Sequence, residues 1–211
     1  MKCLKINNAT EAPSDKEMKS IESVIVCYSF AGELPAWIGQ LSSLKELLLR
    51  GCNELTSIPD TLAGLTSLEK MDLSFSSIKS LPPSIGQLSS LKELSLSACW
   101  RLTGIPGTLT GLKSLEKMHL SSSSISSLPP SIGQLSSLKE LLLRDCKKVT
   151  SIPDTLAGLT SLEKMDLSRS SIASLPPSIG QLSSLKELSL RRCEKLTSIP
   201  NTLAGLTSLE K

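Results

Sequence analysis

The sequence predicts an α/β solenoid: a right-handed superhelix with a parallel β-sheet on its concave side and mainly 3₁₀ helices and turns on its convex side. The first observation behind this is an internal repeat of 47 residues, marked by Leu34, Leu81, Leu128 and Leu175, each followed by proline. The second is that each repeat divides into two coils, of 24 and 23 residues, with the same apolar frame. The third is that aromatic residues make up only 2% of the chain, so leucine and isoleucine must form the core.

Each coil is predicted to begin with a short strand. The frame in the first regular coil is "LKELLLRGC", Leu44–Cys52, and its positions are numbered from Leu44 here and from the equivalent leucine in every other coil. Leu44, Leu47 and Leu49 are apolar while the residues between them are largely polar, and Leu47 and Leu49 show the period of two of a half-buried strand. One coil cannot bury its leucines alone, whereas a stacked coil can, and each buried leucine then contributes roughly 1.5–3 kcal/mol. Successive strands are therefore expected to pair in one sheet.

The second half of each coil is predicted to return along the convex side. In "SIGQLSSL" the apolar residues Ile85, Leu88 and Leu91 are three apart, which fits 3₁₀ turns better than a long α-helix. The proline that precedes this segment ends strand pairing. Gly64 and Gly86 are expected to serve the tight backbone of these turns.

Residues 1–33 are predicted to be an N-terminal cap and a divergent first coil. In this segment Ile21, Val24 and Val26 fill the apolar strand positions, and "SDKE" at Ser14–Glu17 has the capping-box pattern of a short helix.

Residues 34–211 are predicted to hold the regular repeats. The last coil stops at "LTSLEK", so Leu206 and Leu209 are expected near an uncapped C-terminal end. Two alternatives stay open at this end: truncation of a longer chain, or end-to-end association of copies.

The repeated frame resembles the leucine-rich repeat family, with its L-x-x-L-x-L-x-x-N/C-x-L pattern, from about Ile21 to Lys211. The "LPPSIGQLSSLKEL" coils resemble plant intracellular and Ras-group repeats and those of plant nucleotide-binding immune receptors. "LTGIPGTLTGL" resembles the plant receptor pattern L-T-G-x-I-P-x-x-L-G-x-L with one residue missing. The resemblance implies a non-catalytic protein-recognition module in a plant-type immune or signalling context.

The substitutions between copies indicate where a partner binds. Frame positions 3, 5, 7 and 8 are expected on the concave face, and positions 10 and 11 lead out of it. The repeats that begin at Leu81 and Leu128 differ at 13 of 47 positions, and seven of the 13 lie in or just beyond this face. Exposed Trp and Arg are frequent binding hot spots. The predicted partner-binding residues are Arg50, Phe75, Trp100, Arg101, His119, Arg144, Asp145, Arg169, Arg191 and Arg192.

Position 3 alternates in charge from coil to coil, beginning with Glu46, Lys70 and Glu93. Opposite charges on adjacent strands stabilise the pairing by about 0.2–1 kcal/mol each. This column is therefore interpreted as structural rather than as part of a binding site.

The cysteine pattern predicts neither a metal site nor a disulfide. Cys52, Cys99, Cys146 and Cys193 recur on every second coil, and so about 10 Å apart, which is too far for a disulfide or a shared zinc ion. They are expected to be buried thiols that bond to loop backbone, and no cofactor is expected. Whether Cys3 and Cys27 pair is left open. Unpaired thiols and the lack of an apolar leader favour the cytoplasm.

The lone histidine does not complete a catalytic set. Asp72, Ser95 and His119 occupy position 5 on adjacent coils, but a triad needs the histidine between the serine and the acid. The sequence therefore predicts a protein that is not an enzyme.

The bulk charge makes neither nucleic acid nor membrane an obligatory partner, because 23 basic and 20 acidic residues leave a net charge of only +3. No run of 18 apolar residues is present. The arginines of the C-terminal half keep nucleic acid as an alternative, which the scarcity of aromatic residues for stacking disfavours. The near identity of the copies leaves a second alternative open, a structural or engineered solenoid without a natural ligand. We expect a protein or peptide partner.

Overall fold

The computed structural model describes residues 2–6, 11–26 and 33–210, and the statements below concern these residues. They contain one open sheet of nine parallel strands in which each strand pairs with the next along the chain. This arrangement confirms the predicted α/β solenoid. The strands are β1 (Lys2–Ile6), β2 (Ile21–Val26), β3 (Glu46–Leu48), β4 (Lys70–Asp72), β5 (Glu93–Ser95), β6 (Lys117–His119), β7 (Glu140–Leu142), β8 (Lys164–Asp166) and β9 (Glu187–Ser189).

The convex side consists of 3₁₀ helices, as the three-residue spacing predicted. Most begin directly after a proline with extended backbone, such as Pro82 at φ −68° and ψ 149°, a conformation that the proline ring favours. They span Ala36–Gln40, Asp60–Gly64, Pro83–Gln87, Leu109–Gly111, Pro130–Gln134, Asp154–Gly158, Pro177–Gln181 and Asn201–Gly205.

The leucine frame forms the core that its spacing predicted. Leu44, Leu47 and Leu49 have no accessible surface, and Leu47 pairs in register with Met71 on the next strand. Each coil is buried by its neighbours on both sides. Ile152 is 5% exposed whereas its equivalent Ile199, which no complete coil follows within residues 200–210, is 57% exposed. Stacking, rather than any single coil, therefore removes the apolar surface from water.

The N-terminal part contains the predicted helix and one strand that the frame does not predict. In α1 (Asp15–Met18) the backbone N–H of Ser14 donates to the Glu17 carboxylate at 3.0 Å, and Ile21, Val24 and Val26 are buried in β2. The strand β1 pairs with β2 and extends the sheet by one strand. The domain division at residue 33 stays a prediction, and the question of a Cys3–Cys27 pair lies outside the described residues.

The glycines on the convex side allow coils to approach each other, which differs from their predicted role in the turns. Neither Gly64 nor Gly86 has a positive φ. Instead, a Cβ atom on Gly86 would collide with the carbonyl oxygen of Thr108 on the following coil, and one on Gly64 would collide with that of Gly39 on the preceding coil. Close packing between backbones is therefore what requires glycine here.

Candidate binding face

The register of the sheet aligns equivalent frame positions, so each position forms a column across the concave side. At position 5, Asp72 pairs with Ser95 and Ser95 with His119. Of the predicted binding residues, Asp145 and His119 are half-buried and the other eight are exposed. His119 lies within β6, whereas the others lie in the turns that follow the strands. The structure thus places all ten at the surface of this side.

Position 8 has a left-handed backbone in every regular coil, a feature that the sequence analysis did not predict. The residues at this position have φ between 56° and 77°: Gly51, Phe75, Ala98, Ser122, Asp145, Arg169 and Arg192. Such angles are uncommon for residues other than glycine, and especially for a bulky one. The backbone is held there because each of these N–H groups, except that of the final Arg192, donates to the position 7 carbonyl of the next coil, as Asp145 does to Ser168 at 2.8 Å. Gly51 was the residue in the sequence that could have indicated a positive φ at this frame position.

Two arginine–aromatic pairs lie at the N-terminal end of the face. The guanidinium carbon of Arg50 is 5.0 Å from the centre of the Phe75 ring, and that of Arg101 is 4.5 Å from the centre of the Trp100 ring. The rings remain about half exposed, at 48% for Phe75 and 55% for Trp100. Each pair therefore presents an amphipathic contact surface, joined by a cation–π contact that is worth about 0.5–1 kcal/mol at an exposed site.

A first concavity of about 360 Å³ lies beside these pairs. It brings Arg50, Phe75 and His119 together from three different coils, and Trp100 and Arg101 do not line it. Its floor includes the alternating charges of the position 3 column, among them Lys70 and Lys117.

His119 has a partner that the sequence analysis did not predict. Its Nε2 atom is 3.2 Å from a carboxylate oxygen of Glu140 on the next strand, whereas the Ser95 hydroxyl is 2.7 Å from the hydroxyl of Ser74. The residues Asp72, Ser95 and His119 therefore share a column without forming a serine–histidine–acid relay.

A second charge ladder runs parallel to the predicted one. At position 3, Glu93 accepts from both Lys70 at 3.1 Å and Lys117 at 3.2 Å. At position 2, outside the strands, lysines pair with the glutamate one coil before; for example, Lys92 lies 2.6 Å from Glu69. These contacts lower the pKa of Glu93 and of Glu69, chiefly through hydrogen bonds from lysine. The sequence signal of this second ladder is the alternation at position 2, which begins with Lys45, Glu69 and Lys92.

At position 9, Cys99, Cys146 and Cys193 are free thiols, and those of Cys99 and Cys146 are fully buried. The Cys99 thiol donates to the carbonyl oxygen of Leu73 at 3.2 Å, and Cys193 makes the same bond to Leu167 at 3.1 Å. Burial raises the pKa of Cys99 and of Cys146, which keeps both protonated. Among the described residues no cluster of His, Cys, Asp and Glu could hold a metal ion.

Four of the remaining predicted residues meet at the C-terminal end of the face. A pocket of about 360 Å³ is lined by Arg144, Arg169, Arg191 and Arg192, together with Asp166, Ser168 and Ser189. The tenth predicted residue, Asp145, lies outside this pocket with its carboxylate 3.7 Å from the ammonium group of Lys147. Within the described residues, no helix has the length and apolar character needed to cross a bilayer.

Comparisons with known proteins agree with this architecture. The sequence matches the family model of a leucine-rich repeat region over residues 25–144 and that of a single leucine-rich repeat over residues 184–206. No curated protein matches the chain significantly.

Several solved structures share the solenoid. A leucine-rich repeat protein of Leptospira interrogans has a TM-score of 0.86 and 28% identity, covering 99% of this chain and 53% of its own, so this chain spans about half of that protein. The leucine-rich repeat domain of the type III effector XopL has a TM-score of 0.65 and 28% identity, over 82% of this chain and 69% of its own. The plant peptide hormone receptor RGFR1, solved in complex with RGF2, has a TM-score of 0.64 and 26% identity, over 92% of this chain and 40% of its own. With a family match over more than half of its length and the same stacked-coil architecture, the chain belongs to the leucine-rich repeat family.

Proposed function

We propose that the chain is a non-catalytic recognition module that binds a protein or peptide partner on its concave face, in a plant-type immune or signalling context. The observation that carries the proposal is that some frame positions are regular from coil to coil and others vary. The apolar and position 3 columns keep their residues or their alternation from coil to coil, whereas exposed aromatics and arginines occupy positions 7, 8, 10 and 11, which differ between copies.

Two comparisons support this proposal. Leucine-rich repeat domains are in general protein-interaction modules. One of the similar structures is, by its description, a plant peptide hormone receptor in complex with a peptide. In the arginine–aromatic pairs of this chain, Arg50 with Phe75 and Arg101 with Trp100, the two arginines and the tryptophan are residue types enriched in binding hot spots.

The test is a comparison of two variants with equal charge. In the first, Arg144, Arg169 and Arg191 are changed to serine, which other coils of the chain carry at the same frame positions, Ser97 and Ser121 at position 7 and Ser122 at position 8. In the second, Lys19, Lys79 and Lys113, which are exposed and lie off the face, are changed to serine. Captured proteins are identified with the wild-type chain, and the affinity of each candidate is then measured with both variants. We expect unchanged melting of both variants and loss of partner affinity in the first alone; equal affinity for the two would remove the concave face as the docking site.

The near identity of the copies favours a second candidate, a structural or engineered solenoid without a natural ligand. Recent tandem duplication of a natural repeat would produce the same near identity. Saturable binding of one partner, lost in the arginine variant, would decide for recognition, and the absence of any saturable partner would decide for the structural role.

Two further expectations belong to this proposal. The free thiols of Cys99, Cys146 and Cys193 favour a reducing compartment, the cytoplasm, and microscopy of a tagged chain would test this location. The exposure of Ile199 favours end-to-end association, which sedimentation over a range of concentrations would test.

A further inference from the structure

Lysines and arginines serve different purposes in this chain. Lysines at positions 2 and 3 make ion pairs with glutamates on neighbouring coils, as Lys139 does with Glu116 at 3.0 Å and Lys164 with Glu187 at 2.9 Å. All six arginines lie at positions 7, 8 or 11 instead: Arg50, Arg101, Arg144, Arg169, Arg191 and Arg192.

None of these arginines pairs with an acidic side chain. In the part of the chain that the structure describes, no guanidinium nitrogen of the six is within 4.0 Å of a carboxylate oxygen. Arg50 and Arg101 stack on aromatic rings. Among the described residues, the four C-terminal arginines have neither an aromatic nor an acidic partner. The scaffold neutralises the lysines at positions 2 and 3 and leaves its arginines available.

The four C-terminal arginines surround a single pocket. At position 7 the column reads Arg144, Ser168, Arg191, so two long side chains flank a small residue on the coil between them. At position 8, Arg169 and Arg192 add two more from the neighbouring turns, with left-handed φ of 58° and 57°. The backbone N–H of Arg169 donates to the carbonyl oxygen of Arg191 at 2.8 Å, so the turns that carry the arginines are joined by the ladder.

The pocket carries an uncompensated positive charge. Asp166 is its one acidic residue, and the Asp166 carboxylate already accepts a hydrogen bond from the backbone N–H of Ser168 at 2.9 Å. Four arginines against one aspartate leave three positive charges in about 360 Å³. The acidic groups that border these arginines from neighbouring concavities are matched by lysines. Asp145 pairs with Lys147 and Glu187 with Lys164, and Glu194 lines its concavity together with Lys195.

The number and type of donors indicate the ligand. Guanidinium groups present planar forks that bind two oxygens at once, and they suit carboxylate and phosphate better than ammonium groups do. A single carboxylate would supply one negative charge and two oxygens, whereas a phosphate monoester supplies about −1.5 to −2 charges and three acceptor oxygens. Three uncompensated charges distributed around one concavity match the phosphate.

We propose that this pocket is the seat of a phosphorylated side chain on the partner protein. The proposal rests on the proposed recognition function and specifies its chemistry. The phosphate occupies the space above Ser168 between Arg144 and Arg191, and Arg169 and Arg192 close it from the position 8 side. The aromatic pairs at the N-terminal end of the face then contact another part of the same partner.

The chain provides its own control for this proposal. The equivalent positions 47 residues earlier hold Ser97, Ser122, Arg144 and Asp145, a set with only one arginine on the same scaffold. Changing Arg144 and Arg191 to serine therefore installs residues that this backbone already carries at position 7. Changing the same two residues to lysine keeps the charge and removes the forks.

The experiment measures binding of the full chain to fluorescein-labelled degenerate peptide libraries whose central residue is phosphoserine, serine or glutamate. We expect the phosphoserine library to bind about tenfold or more tightly than the other two, a loss of that advantage in the double serine variant, and a partial loss in the double lysine variant. A double variant with Lys79 and Lys113 changed to serine, which removes the same charge away from the face, should keep the advantage. Circular dichroism melting of each variant confirms that it is folded.

Other outcomes would overturn the proposal. Equal binding of the glutamate library would assign the pocket to carboxylates, and tighter binding of a random single-stranded oligonucleotide, with a steep salt dependence, would assign it to nucleic acid. Phosphatase treatment of a partner captured as described above separates this failure from that of the proposed function. If the phosphatase-treated partner still binds the wild-type chain and still fails to bind the arginine variants, the concave face is the docking site and only the assignment of the pocket to phosphate is wrong.

Discussion

The thiol of Cys146 donates a 3.1 Å hydrogen bond to the backbone carbonyl of Leu120, which lies one coil earlier and 26 residues away in sequence. The same bond recurs for Cys99 and Cys193, so each of these cysteines ties the strand-end turn of a 24-residue coil to the 23-residue coil before it. This thiol ladder belongs to the scaffold.

Removing the Cys146 thiol should destabilise the solenoid modestly. Cys146→Ala deletes the bond to the Leu120 carbonyl, which retains a second donor in the backbone N–H of Ser123 at 3.1 Å. We expect a loss of about 1–2 kcal/mol in the free energy of unfolding, from one hydrogen bond and a small cavity, measured by urea denaturation. Cys193→Ala, at a half-buried thiol, is the control and should cost less; an equal or larger loss would contradict the role of burial.

The raised pKa values of Cys99 and Cys146 predict a loss of stability at alkaline pH. A thiol with a pKa above its unfolded value contributes stability that is complete below the unfolded pKa, about 8.5, and is lost as the pH rises through the folded pKa. The free energy of unfolding of the wild type, measured by urea denaturation, should therefore fall above that pH. The Cys99→Ser, Cys146→Ser double variant should show a shallower decline. Parallel curves for the two proteins would count against this prediction.

Adjacent leucines on β7 test the strand register. Leu141 has no accessible surface, whereas Leu142 at position 5 faces the concave side and is half-buried. Leu141→Ala should lower the free energy of unfolding by about 2–5 kcal/mol, because it leaves a cavity among packed leucines. Leu142→Ala should cost clearly less in the same denaturation experiment. The reverse order would mean that the frame is shifted by one residue.

The convex glycines provide a test of coil stacking. Gly86→Ala places a methyl group against the carbonyl oxygen of Thr108, which is backbone and cannot rotate away, whereas a Cβ on Gly104 meets no atom within 4 Å. We expect Gly86→Ala to destabilise by more than about 1 kcal/mol. The control Gly104→Ala should be neutral or stabilising by up to about 1 kcal/mol, since it restricts the unfolded chain. Thermal melting of both variants measures the difference, and similar melting temperatures would refute the close approach.

Much of this protein could be read from its sequence because a stacked repeat repeats its environment. Every coil meets nearly the same neighbours, so the period alone indicates that Leu47 and Leu141 are buried, that Asp72, Ser95 and His119 share a column, and that the charges of Lys70 and Glu93 meet across adjacent strands. The ten proposed binding residues could be placed at the surface for the same reason. Which partner they bind stays a prediction.

Only the tertiary structure decided how neighbouring coils fit together in detail. The left-handed backbone at Phe75 and Arg169, the contact of His119 with Glu140, and the collision that excludes a side chain at Gly86 each depend on atoms of the next coil. The same is true of the pocket in which Arg144 and Arg191 stand on either side of Ser168. A repeat period specifies which residues are neighbours, whereas backbone angles and side-chain directions follow from packing those neighbours at close distance.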